Sequence, residues 1–195
     1  MTGHNPVAGA PSAARPVSVW DLPLRLSHWL LAGSVLTAWF TANIYDTVHE
    51  IAGYTALGVL VFRLVWGFVG GRHSRFRNFV RSPAATMHYF GHYFGELARG
   101  RHARSLGLNP AGAAMALALL ALIAIATVSG WMQITVAFFG VAWVEQVHSW
   151  SSNLVLILVV LHVVGVLLMC ALQRENLVRA MIDGRKRGDE GEPKS

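Results

Sequence analysis

Four apolar segments, each close to the length that crosses a bilayer as a helix, constrain this chain more than any other feature. They run from about Leu26 to Ile44, His49 to Val69, Ala111 to Gln133 and His148 to Leu172. A transmembrane helix needs about 20 predominantly apolar residues. The expected fold class is therefore all-α, an integral membrane four-helix bundle. Composition agrees: only 13% of residues are charged, against roughly a quarter in a soluble domain. Asn109-Pro110 marks the start of the third segment, where proline costs no helix hydrogen bond. The stretch Ile134 to Val144 is apolar but contains Gly140, and it reads as an interfacial loop between the third and fourth spans.

Charge placement gives the direction of crossing. The first and third connections carry Asp46 and Glu145 and no Lys or Arg. The second connection carries Arg72, Arg75, Arg77, Arg81, Arg99, Arg101 and Arg104 against one acid, Glu96. The C-terminal segment adds Arg174, Arg179, Arg185, Lys186 and Arg187. Basic residues stay on the cytoplasmic side, so both termini and the long middle connection are expected there. The same placement argues against a nucleic-acid partner, although the pI is about 10.2. It indicates a multi-pass membrane protein.

Residues 1–18, rich in Ala, Pro and Gly, have no apolar core of a signal peptide and read as a flexible cytoplasmic tail. Residues 19–182 form the membrane domain and 183–195 a charged cytoplasmic tail. In the middle connection, Ser82-Pro83 followed by Met87, Tyr89, Phe90, Tyr93, Phe94 and Leu97 predicts a surface helix in the interface plane. Cys170, the sole cysteine, excludes an intrachain disulfide and iron–sulfur ligation by this chain alone.

Four histidines then acquire depths. His28 opens the first span on the cytoplasmic side; His49 opens the second and His148 the fourth on the outer side. His162 follows His148 by fourteen residues, about 21 Å along a helix and nearly four full turns. The two imidazoles therefore share a face at two levels. His28 with His162 makes an inner pair, and His49 with His148 an outer pair. Neutral imidazole is a good haem-iron ligand, and two axial histidines leave no vacancy for oxygen. Such sites suit electron transfer. The bland alternative is a histidine that bonds a neighbouring helix.

Arg63 lies fourteen residues beyond His49 on the same face, near the inner level. It suits a haem propionate, or it snorkels to the interface. Gly33, Gly53, Gly58, Gly130 and Gly165 lie within spans, where glycine admits a close helix or a flat ring. His88 and His92 have i,i+4 spacing but no third ligand nearby, and aromatic neighbours favour an interfacial role.

The chain resembles the bacterial cytochrome b561 and nickel–iron hydrogenase b-type cytochrome group. The resemblance rests on Trp-Asp-x-Pro-x-Arg-Leu-x-His-Trp at Trp20 to Trp29, and on His-Glu-x-x-Gly-Tyr from His49. It continues with Phe-Arg-Leu-x-Trp-Gly at Phe62 to Gly67, Asn109-Pro110-Ala111-Gly112, the His148/His162 pair and Arg174-Glu175-Asn176-Leu177-Val178. Leu106-Gly107-Leu108 precedes Asn109 where relatives often show Gly-His, a departure that touches no expected ligand. The resemblance implies two haems b held by His28, His162, His49 and His148, and ubiquinone or menaquinone as the exchangeable substrate. It also implies a redox partner at the outer face: a c-type cytochrome, a hydrogenase, another oxidoreductase subunit or a small reductant such as superoxide.

Three functions follow as expectations. The first is a dihaem cytochrome moving electrons between an outer-face partner and the quinone pool. The second is a haem-binding anchor and relay subunit of a larger oxidoreductase, with no substrate site of its own. The third, a transporter with a histidine relay, lacks any sign of an inverted repeat. A homodimer is compatible with the apolar outer surface of four helices. Cytoplasmic Arg25 and Arg63 suggest where a quinone site could lie.

Overall fold

The computed structural model describes residues 16–18, 20–71, 110–173 and 175–187. The expected surface helix, His88 and His92, the arginines of the middle connection and Arg174 lie outside the described residues.

Helix α1 spans Leu22–Thr41. Asp21 is its N-cap: the carboxylate accepts from the Leu24 amide at 2.9 Å, satisfying one of the backbone donors left open at a helix start. Helix α2 spans Asp46–Val69, with Asp46 as the acid of its first turn. Helix α3 spans Pro110–Gln133, and helix α4 spans Ala142–Gln173.

Three helices are long and apolar enough to cross a membrane, at Asp46–Val69, Ala111–Gln133 and Ala142–Gln173. α1 is not among them, because Arg25, Ser27 and His28 dilute its first two turns. Its remaining length is apolar, with Leu30, Leu36, Trp39 and Phe40 exposed. Only 6% of the apolar window of α4 is buried within the protein. Ile157, Val160, Leu161, Val164 and Leu167 all face outward. Large aliphatic side chains exposed in such a continuous band need a nonaqueous surrounding.

α1 packs along α2 and α3 along α4, and the two pairs join through α2 and α3. A small core gathers Leu60 of α2, Ile123 of α3 and Val155 of α4, with Leu31 and Val35 of α1 against it.

Several helix boundaries differ from expectation. α4 begins at Ala142, six residues before His148, so the expected loop from Ile134 to Val144 ends at Val141. Turns run through Thr135, Phe138 and Val141, and Gly140 at φ 71° reverses the chain. The helix restarts there because Val144, fully buried, anchors its first turn. At 32 residues, α4 is about 48 Å long, more than the ~30 Å of a hydrocarbon core. α1 is shifted towards the N-terminus: it starts at Leu22, where Asp21 caps it, and ends at Thr41 rather than Ile44.

The C-terminal segment turns back. A short helix α5, Leu177–Asp183, starts at Asn176, whose side chain accepts from the Arg179 amide at 2.8 Å. It ends at Gly184 with φ 76°, a left-handed position that glycine takes without steric cost. α5 docks on the start of α1. Arg25 donates to the Ile182 carbonyl, Trp29 Nε1 donates to the Met181 carbonyl at 3.4 Å, and the Trp20 amide donates to the Gly184 carbonyl at 3.2 Å. Cations and donors at a helix C-terminus satisfy its open carbonyls. Beyond it, strand β2 (Arg185–Arg187) pairs antiparallel with strand β1 (Pro16–Ser18), Pro16 opposite Arg187. This ribbon lies within segments expected to be tails, and it departs from a purely helical chain. It forms because α5 returns the backbone to the start of α1. Residues 16–18 and 185–187 therefore meet on one side.

Candidate functional site

The histidines come together at two levels. The rings of His28 (α1) and His162 (α4) have centroids 6.3 Å apart, with planes at 58°. The rings of His49 (α2) and His148 (α4) have centroids 6.0 Å apart, with planes at 87°. Each pair thus bridges α4 to a helix of the other hairpin. All four side chains are partly buried.

The outer pair is tethered to backbone. His49 Nδ1 lies 2.8 Å from the Ala38 carbonyl of α1, and His148 Nδ1 lies 2.8 Å from the Ala126 carbonyl of α3. A carbonyl can only accept, so each Nδ1 carries the proton and each Nε2 keeps its lone pair free. That is the arrangement found behind metal-ligating histidines. Among the described residues neither inner ring has such a tether.

Gly130 makes one tether geometrically open. A Cβ built there would lie 2.9 Å from His148 Cε1 and 3.1 Å from its Nδ1. Without a side chain, α3 lets the imidazole lie against its backbone and reach Ala126, one turn earlier. The other four glycines noted within the spans, at 33, 53, 58 and 165, meet nothing within 4 Å of a built Cβ.

The outer pair lines a cavity of about 760 Å³ that also takes in Gly53, Gly130 and Trp39. Cofactor sites occupy about 300–1,000 Å³. Its wall includes three carboxylates, Asp46, Glu50 and Glu145, and no Lys or Arg among the described residues.

At the inner level Arg63 lies within electrostatic reach of His28 and of Asp21. Asp21 also accepts from Trp66 Nε1 at 3.3 Å. Arg25 Nη1 donates to the Ile182 carbonyl of α5.

The spacing of each pair tests whether a haem fits. A metal–imidazole bond is about 2.0–2.1 Å and a ring centroid lies about 1.1 Å beyond its nitrogen, so rings sharing one iron have centroids about 6.3 Å apart. Both pairs have that separation. No group of three or more His, Cys, Asp or Glu able to hold a bare metal ion occurs among the described residues. A pair of ligands suits a metal whose other positions are already filled, as in a porphyrin.

Residues 19–184 match the sequence pattern of prokaryotic cytochrome b561, and the chain belongs to that family. Membership makes it a membrane protein of b-type haem electron transfer, in a lipid environment and working with redox partners. No curated protein and no solved structure matches the chain.

Sequence reasoning missed the carbonyls of Ala38 and Ala126 and the dual role of Asp21. A backbone acceptor has no residue-type signature. Gly130 was one of five glycines with equal claims.

Proposed function

We propose that this chain is a four-helix, two-haem b-type cytochrome of the bacterial inner membrane, with both termini cytoplasmic, moving electrons between an outer-face redox partner and the quinone pool. His28 and His162 would hold the inner haem, and His49 and His148 the outer haem. The observation that carries this reading is the separation of two histidine pairs, 6.3 and 6.0 Å between ring centroids. The free Nε2 of each outer ring supports the same assignment.

When bound, haem supplies one-electron chemistry between two iron states. The protein's own residues do the rest. The histidines would hold the two haems, two side chains to each. The carbonyls of Ala38 and Ala126 hold two of the rings. Arg63 is a partner for a propionate of the inner haem. Ubiquinone or menaquinone is the exchangeable substrate, and a c-type cytochrome or another oxidoreductase subunit is the outer partner.

The orientation is supported by the arginines of the middle connection and by the ribbon that brings residues 16–18 and 185–187 to one side. The test is a pyridine haemochrome assay with a reduced-minus-oxidised spectrum on the purified protein in detergent. Two low-spin haems b per chain are expected. One haem would overturn one of the two pairings, and a colourless protein made with haem supplied would sink the reading.

A further inference from the structure

Where α4 ends, the lipid-facing surface continues. Val164, Leu167 and Leu168 are exposed on its last turns, and Val178 and Ile182 are exposed on α5. Leu167, Val178 and Ile182 line one groove of about 450 Å³ between the two helices, together with Cys170, Glu175 and Arg179. The corner that shapes it is fixed by side chains. The Leu177 amide donates to Cys170 Sγ at 3.2 Å, and the Asn176 side chain caps α5. Trp29, itself half exposed, donates from its indole to the Met181 carbonyl at 3.4 Å. Indoles collect where hydrocarbon meets headgroups, which puts α5 at that boundary.

Charge enters on the α5 side. The Arg179 side chain is 78% exposed, and its Nε donates to Asp183 Oδ2 at 2.9 Å. Such an exposed pair contributes little, and the terminal amino groups of the guanidinium have no partner among the described residues. Arg185, Lys186 and Arg187 follow, so residues 175–187 carry more basic side chains than their two acids, Glu175 and Asp183. The planar fork of arginine matches a phosphate, and clustered cations beside a span attract acidic headgroups. An aliphatic wall that ends in a cation at the membrane boundary repeats the order of parts in a phospholipid.

We propose that the groove between the end of α4 and α5 binds one acidic phospholipid of the adjoining leaflet, with an acyl chain along Leu167, Val178 and Ile182 and the phosphate on Arg179. The wall is continuous with a surface that acyl chains already cover, which favours a lipid over a protein segment. The site requires only that the chain lie in a membrane and is independent of the haem assignment. The bound lipid joins α4 to α5 and so steadies the end of the chain that closes on α1.

The experiment is native mass spectrometry of the full-length, delipidated protein in a neutral detergent. It is titrated with dioleoylphosphatidylglycerol, dioleoylphosphatidylcholine or inorganic phosphate. Phosphatidylglycerol is expected to saturate as one adduct per chain, at concentrations where the other two add little. Arg179→Gln is expected to weaken it about fivefold, the effect of one cation beside an acidic headgroup, and Arg179→Lys to weaken it less. Leu167→Trp, at an exposed position, fills the groove and is expected to weaken it as well. Amide exchange over residues 177–187 is expected to slow with phosphatidylglycerol in the native chain and to stay unchanged in Leu167→Trp. The inference is overturned by equal binding of the two lipids, by native affinity in either Arg179→Gln or Leu167→Trp, or by phosphate alone slowing the exchange. A dimer that carries no lipid would overturn it too, because a second copy would then fill the groove.

Discussion

The indole Nε1–H of Trp66 lies 3.3 Å from both carboxylate oxygens of Asp21. Asp21 caps α1, and Trp66 sits in the last turn of α2. The two residues belong to motifs 45 positions apart, Trp-Asp-x-Pro and Phe-Arg-Leu-x-Trp-Gly. A built Cβ on Gly71 would stand 2.8 Å from Asp21 Oδ2, so the chain leaving α2 also passes close to this carboxylate. One acid thus starts one helix, ties it to the end of the next, and lies beside Arg63.

Replacing Asp21 with Ala removes the cap and the acceptor for Trp66 together. A lost N-cap costs about 0.5–2 kcal/mol, and the part-buried indole donor left unpaired adds to that, by less than the ~1–3 kcal/mol of a fully buried one. The variant is expected to melt well below the native protein in detergent, followed by helical circular dichroism. Asp21→Asn keeps a capping oxygen and is expected to lose less. Equal losses in the two variants would contradict a capping role.

Single-ligand variants should remove the haems one at a time. His162→Ala is expected to retain the outer haem and lose the inner, and His49→Ala the reverse. Each would give half the native haem-to-protein ratio in the pyridine haemochrome assay. Loss of the same haem in both, judged by the surviving spectrum and midpoint, would rule out the pairing across α4.

Gly184→Ala tests the docking of α5. Alanine at φ 76° is strained by about 1–3 kcal/mol. A built Cβ would also stand 2.7 Å from the Trp20 carbonyl. Residues 177–187 are expected to exchange amide hydrogens faster, with the four long helices unaffected. Unchanged exchange over α5 would show that the Trp20, Arg25 and Trp29 contacts do not hold it.

Topology can be read chemically. Val136, in the turn between α3 and α4, is fully exposed. Val136→Cys in a Cys170→Ser background is expected to react with a membrane-impermeant maleimide in intact spheroplasts. Reaction only after the membrane is broken would invert the orientation and with it the outer and inner assignments.

The apolar run lengths already mark out the four long helices, and the 14-residue interval sorts the histidines into two levels. Both features are properties of one chain segment: a helix has a fixed rise and turn, so spacing along the sequence becomes depth and direction along one axis. The ring pairs His28/His162 and His49/His148 follow from that. The start of α4 at Ala142 was not legible, because an apolar turn and an apolar helix have the same composition, and the burial of Val144 is decided by its neighbours. Nor was the carbonyl that each outer ring would find. The Ala38 and Ala126 carbonyls accept a hydrogen bond only because α1 and α3 are rotated to present them, and Gly130 matters only because α4 approaches there. Rotation and separation between helices are set by packing across the bundle, where no periodicity within one segment reports them. The sequence by itself therefore determined which segments are helical, how the histidines fall into two levels along them and to which family the chain belongs. Tertiary structure alone decided what stands behind each ring, and how the returning α5 closes on α1.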